Sequence, residues 1–156
     1  MELYFVVKTL HVLSATVLFG TGAGIAFFML QGYLSGVPAL RRFAARATVR
    51  ADFLFTLPAV IVQPLSGAWL IWKGEFDWSD RWLVVTYALY LIAGTCWLPV
   101  VAIQMRMKTL LDAEAVTGIL DEAKLSRLFR WWFVLGWPAF GGLIAVFYLM
   151  VSKPSW

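Results

Sequence analysis

The chain has 156 residues, 62% of them hydrophobic and only 14% charged, and its mean hydropathy is +0.79. A water-soluble domain carries about a quarter charged residues, and a globule this small cannot hide so much apolar surface. A soluble fold is therefore excluded. The net charge of +4 does not signal a nucleic-acid partner, because the basic residues gather in two connecting segments with no basic patch interleaved with aromatics.

Four segments are long enough to cross a hydrocarbon core as helices, which takes about 20 apolar residues. They run over residues 3–30, 52–72, 82–104 and 130–151. In lipid every backbone polar group must be satisfied internally, so apolar runs of this length mean helices. The expected fold is an all-α integral membrane four-helix bundle, a single transmembrane domain. The first segment is not expected to be a cleaved leader, since its flank is Met1-Glu2 and Lys8 interrupts its apolar run.

Orientation follows from the loops. Arg41, Arg42, Arg46 and Arg50 fill the first connection, and Arg106, Lys108, Lys124, Arg127 and Arg130 the third. The second connection and the tail hold only Lys73, Arg81 and Lys153. The positive-inside tendency makes the first and third connections cytoplasmic and puts both termini outside. Trp69, Trp72, Trp78 and Trp82 then mark the outer interface, and Trp131 and Trp132 the inner one. Residues 41–50 read as a short basic helix along the anionic leaflet, and residues 109–128 as a helical cytoplasmic extension. Arg50 precedes Pro58 by eight residues, as Arg130 precedes Pro138. That echo is compatible with a weak two-hairpin repeat, and equally with chance.

Within the first span, Lys8 and His11 stand three residues apart and share a helix face. His11 is the only histidine in the chain. Titratable groups at membrane depth usually face the bundle interior and carry function. At about 1.5 Å per residue, His11 falls in the outer half, level with Gln63, Ser66, Tyr87 and Tyr90. One outer-half cavity fed by all four helices is the expectation. Ser14 and Gly22 extend the same face inward, and Gly20, Gly22 and Gly24 allow either tight helix packing or room for a cofactor. Pro58, Pro64, Pro99 and Pro138 each release a backbone carbonyl and can shape such a cavity.

His11 reads either as an interior histidine bonded to a neighbour or as a metal ligand through neutral imidazole. Lys8 either snorkels to the outer interface or neutralises an anionic group such as a haem propionate. No Ser/His/Asp or Cys/His arrangement occurs at common depth, and no paired carboxylates lie within the spans. Cys96 reads as a buried structural thiol. Met105 and Met107 diverge on a helix and read as packing rather than copper ligands.

Lys8-Thr-Leu-His11-Val-Leu-Ser14 and the following Gly20-Thr-Gly-Ala-Gly resemble the opening of an uncharacterised family of bacterial integral membrane proteins. The likeness continues through Ala51-Asp52, Thr56-Leu-Pro58, Gln63-Pro64, Cys96-Trp-Leu-Pro99 and Gly136-Trp-Pro-Ala-Phe140. More distantly, the Lys-x-x-His opening is similar to the haem-containing membrane protoporphyrinogen oxidases, and loosely to the copper-resistance D family. The first of these likenesses implies a b-type haem on His11 in the outer half, a redox role with a quinone or respiratory-chain partner, and Lys8 as the catalytic cation. Ser14, Gly22, Gln63, Tyr87 and Tyr90 would then line the haem or quinone. One histidine forbids two histidine ligands from one chain, so the haem would be five-coordinate, or be completed by Met150 or by His11 of a second copy in a homo-oligomer. The alternative is a non-catalytic protein that handles copper or a small solute, or a structural subunit of a membrane complex. Either way the expected location is the bacterial cytoplasmic membrane, crossed several times.

Overall fold

The computed structural model describes residues 1–154. Its helices are α1 (Glu2–Leu34), α2 (Pro38–Ala51), α3 (Leu57–Lys73), α4 (Arg81–Thr117) and α5 (Glu122–Ser152). Four helical stretches are long and apolar enough to cross a membrane, with α2 and α3 together forming one of them. All four expected spans fall inside these stretches, and the chain is an all-α four-helix membrane bundle.

The basic segment departs from expectation. Instead of lying along a leaflet, α2 runs on into α3 through a single π-helical turn, Asp52–Thr56, and packs against both α1 and α4. Small residues make this possible. Ala44 and Ala45 are buried, and a side chain on Gly32 of α1 would collide with the Ala44 methyl. Two backbones approach closely only where such residues meet. The intervening turn is set by Gly36, at φ +68°, by the Ser35 hydroxyl donating to the Gly32 carbonyl at 2.7 Å, and by Pro38 opening α2.

The π turn has a local cause. Pro58 stands in the first turn of α3, offers no N–H to the turn before it, and crowds the carbonyl four residues back. The helix widens there, and the Leu57 N–H reaches the Asp52 carbonyl, one residue further back than an α-helix allows. Pro64, Pro99 and Pro138, by contrast, lie within uninterrupted α-helices.

The helices pair as two hairpins, α1 with α2–α3 and α4 with α5. At the basic end the hairpins are drawn together by α2 against α4 and by a core that includes Met29, Ala45, Met107, Leu111, Leu125 and Trp132. Two ion pairs reinforce that end, Arg41 with Glu122 at 2.7 Å and Arg46 with Asp112 at 2.7 Å. A smaller core of Ile71, Trp82, Leu83 and Leu149 closes the end that carries the termini, with the Lys153 ammonium 4.5 Å from the centre of the Phe76 ring. Between these two cores α1 meets α5 at few points.

Candidate functional site

His11 lies on the seam between α1 and α3, and its neighbours there are those expected from depth. Its Nδ1 is 2.8 Å from Ser66 Oγ, and its Nε2 is 3.4 Å from Gln63 Nε2. Ser66 Oγ donates onward to the Val62 carbonyl at 2.6 Å, so it accepts from the imidazole. Nδ1 therefore carries the proton, and Nε2 accepts from the Gln63 amide; this tautomer is assigned by closing the network. The Gln63 carbonyl oxygen in turn accepts from the Ser14 hydroxyl. Gly67 makes room for the ring, since a methyl there would sit 3.2 Å from His11 Cε1.

The other expected members of this site are elsewhere. Lys8 is exposed although it is one turn from His11, so the two do not present one face to the protein. The Tyr87 hydroxyl is buried without a partner, beside the core at the terminal end. The Tyr90 hydroxyl crosses between the hairpins to the Val60 carbonyl at 2.7 Å. Were a haem held here, His11 would be the residue to bind its iron, through the Nε2 that now faces Gln63. Among the described residues no group of three or more His, Cys, Asp or Glu side chains could hold a metal ion.

The bundle does contain a cavity to which all four membrane-crossing stretches contribute, but in the opposite half from the one expected. It measures about 450 Å³ and extends from the middle of the bundle toward the basic end, and neither His11 nor Lys8 lines it. Of the residues expected to line a cofactor, Gly22 and Tyr90 reach it. The reason is the divergence of the hairpins, which leaves small residues of α1, α4 and α5 facing empty space. A Cβ built on Gly22, Gly94 or Gly136 meets nothing within 4 Å, so Gly22 makes room there rather than tight packing. The walls are otherwise apolar and rich in aromatic side chains, among them Trp97, Trp132, Phe133, Trp137 and Phe140.

One part of this wall is polar. Asp52, Thr56 and Gln104 are buried, at 3%, 5% and 2% exposure, and all three line the cavity. The Asp52 carboxylate lies among the side chains of Thr56, Trp97 and Gln104, and the Trp97 N–H is 3.5 Å from its Oδ1. Among the described residues, its other oxygen, Oδ2, makes no well-formed hydrogen bond, nor do Thr56 Oγ1, Gln104 Oε1 and Trp132 Nε1, although Thr56 and Gln104 lie within reach of the carboxylate as donors. Buried polar atoms are nearly always bonded, and each one left alone costs about 1–3 kcal/mol. Four of them around one space describe a site built for something the chain itself does not supply.

Asp52, Thr56, Gln104, Trp97 and Trp132 are not among the candidate site residues drawn from the sequence, although Asp52, Thr56 and Trp97 stand in the motifs of the family likeness. A signal was nonetheless present. Asp52 is the one acidic residue inside the four expected spans, Thr56 follows it by one helical turn, and Gln104 closes the third span at the same depth. The cavity also has a mouth. Phe27 of α1 and Trp137 of α5 line it while being 56% and 65% exposed, so it opens between these helices toward the lipid. The mouth is bounded by two aromatic stacks. Phe19 lies on Phe140 with ring centres 4.6 Å apart, and Tyr33 lies on Phe129 at 3.8 Å.

A family model described as "Predicted integral membrane protein (DUF2269)" matches residues 5–154 of the chain. No curated protein and no solved structure matches it.

Proposed function

The chain belongs to this family of predicted integral membrane proteins, and on that footing we propose that it handles a small solute. It binds a mostly apolar molecule, drawn from the lipid between α1 and α5, in the cavity between its hairpins. The observation that carries this reading is the set of four unpartnered buried polar atoms in an apolar wall. A cavity of 300–1,000 Å³ with a few convergent polar groups is the ordinary form of a small-molecule site, and about 450 Å³ falls in that range. The apolar walls hold the body of the molecule, and the Asp52 cluster orients its polar end. The reading needs no catalytic residues.

The test is occupancy. An alkyl diazirine photolysed with the protein in lipid nanodiscs should label cavity residues of α1, α4 and α5. Gly136→Leu should remove those labels and leave the protein folded, because a Cβ there meets nothing within 4 Å and Gly136 lines the cavity. Labelling that is confined to lipid-facing residues, or unchanged in Gly136→Leu, overturns the reading.

A further inference from the structure

We infer that the molecule bound in this cavity carries a primary ammonium group, seated at Asp52, on an aromatic or alkyl body. This rests on the reading of the cavity as a binding site and narrows its occupant. Three features converge on the same chemistry.

The first is charge. Asp52 is the sole charged side chain lining the cavity, and it takes part in none of the ion pairs among the described residues. A carboxylate removed from water without a counter-charge is costly. A cationic ligand removes that cost at the point where it arises.

The second is the count of donors and acceptors. Thr56 and Gln104 can turn their O–H and N–H toward Asp52, and Asp52 Oδ2, Thr56 Oγ1 and Gln104 Oε1 then remain as three oxygens with accepting capacity to spare. An ammonium of the –NH₃⁺ type has three N–H donors and no acceptor, one for each oxygen. A quaternary ammonium has none to give, and an alcohol has one. A bare metal ion matches less well, since hard cations gather about six oxygens and would leave the apolar walls unused. The Trp132 N–H remains for an acceptor on the body of the ligand.

The third is the wall. The indoles of Trp97, Trp132 and Trp137 and the rings of Phe133 and Phe140 line the same space. Aromatic faces attract cations and also hold flat apolar bodies. An aminophospholipid would offer the same ammonium, but its phosphate would follow it into a cavity lined by no Lys or Arg. A free lipophilic amine avoids that conflict.

The test uses 2-naphthylethylamine, its N-trimethyl derivative and the corresponding alcohol, titrated into the purified full-length protein in a neutral maltoside detergent. Quenching of the cavity tryptophans and calorimetry read the binding. The amine should bind at least tenfold more tightly than either analogue. Asp52→Asn should abolish that preference, and Gln104→Leu and Thr56→Val should each reduce it. Size-exclusion profiles show which variants fold, and the two milder substitutions carry the test if Asp52→Asn does not. Short-chain phosphatidylethanolamine that competes as well as the amine would make the occupant a lipid and overturn the free-amine assignment. Equal affinity for amine and alcohol overturns the ammonium inference and leaves the cavity reading standing. Failure of all three probes to bind, or binding unchanged in Gly136→Leu, removes both.

Discussion

His11 and Asp52 are both polar residues held among membrane helices, and the chain treats them in opposite ways. Both ring nitrogens of His11 have partners on α3, whereas Asp52 Oδ2 has none. A satisfied network stabilises; an unsatisfied one waits for a ligand. His11→Ala is therefore expected to weaken the α1–α3 seam by about 1 kcal/mol, the usual worth of a hydrogen bond between membrane helices, read by unfolding in mixed micelles. The absorption spectrum of the same pair of proteins decides the haem expectation. With both nitrogens engaged, no Soret band should accompany the purified protein. A Soret band that vanishes in His11→Ala would instead make His11 an iron ligand and the protein a b-type haem carrier. The partners Gln63 and Ser66 were legible from the sequence because depth along a straight helix is simple arithmetic. Asp52 was not, because an acid beside Arg50 at the edge of a span looks like an interface residue. Only folding carries Gln104 and Trp97 to it.

At the scale of elements, the π turn decides where the Asp52 cluster points. A π turn is an α-helix with one residue too many, commonly found at functional positions. Leu54, in the middle of this one, is 68% exposed and contributes nothing to the cavity. Deleting it should restore a regular α-helix from α2 into α3 and keep both flanks in register. Asp52 and Thr56 would then stand three residues apart, still on one helix face but turned relative to each other from their present arrangement. The expected result is a folded, helical protein by circular dichroism that has lost at least tenfold in affinity for 2-naphthylethylamine. Full retention of binding would show that the extra residue does not position the cluster. The four long helices could be read from hydropathy, because length and apolarity are local properties. The fusion of α2 with α3 could not. Proline at position 58 announces a disturbance, but whether a helix kinks, stops or widens depends on what packs around it, and here the close fit of Gly32 on Ala44 keeps α2 in line.

The whole molecule is two hairpins clamped at one end and parted in the middle, and ion pairs reinforce the apolar core of the clamp. Asp112 on α4 joins Arg46 of α2 at 2.7 Å and Lys108 at 3.1 Å, beyond the apolar span that ends near Gln104. Partial burial pushes its carboxyl upward, but the hydrogen bonds and charges of Arg46 and Lys108 outweigh that and hold it below its ordinary value. A carboxyl whose folded value is depressed stabilises the fold fully above its unfolded value, about pH 4. That contribution is lost as the pH falls through the lower folded value. The hairpins should thus keep their spacing at the basic end down to about pH 4 and loosen below it. Nitroxides at Phe43 on α2 and Val116 on α4, both exposed, placed in a Cys96→Ala background, would report this by pulsed electron resonance. Asp112→Asn should show the loosened distribution already at neutral pH and little further change on acidification. A distribution that stays narrow in both proteins throughout would assign the clamp to the apolar core of Met107, Leu111 and Leu125, with the surface ions adding only the small amount that exposed pairs usually do. The same measurement bears on the mouth between α1 and α5. The Tyr33–Phe129 stack sits at the clamped end, and the Tyr33 hydroxyl also donates to Ser126 Oγ at 3.0 Å. Loosening the clamp should therefore widen the opening at that stack first, and amine binding should become faster to exchange in Asp112→Asn while Asp52 continues to set which amine is held.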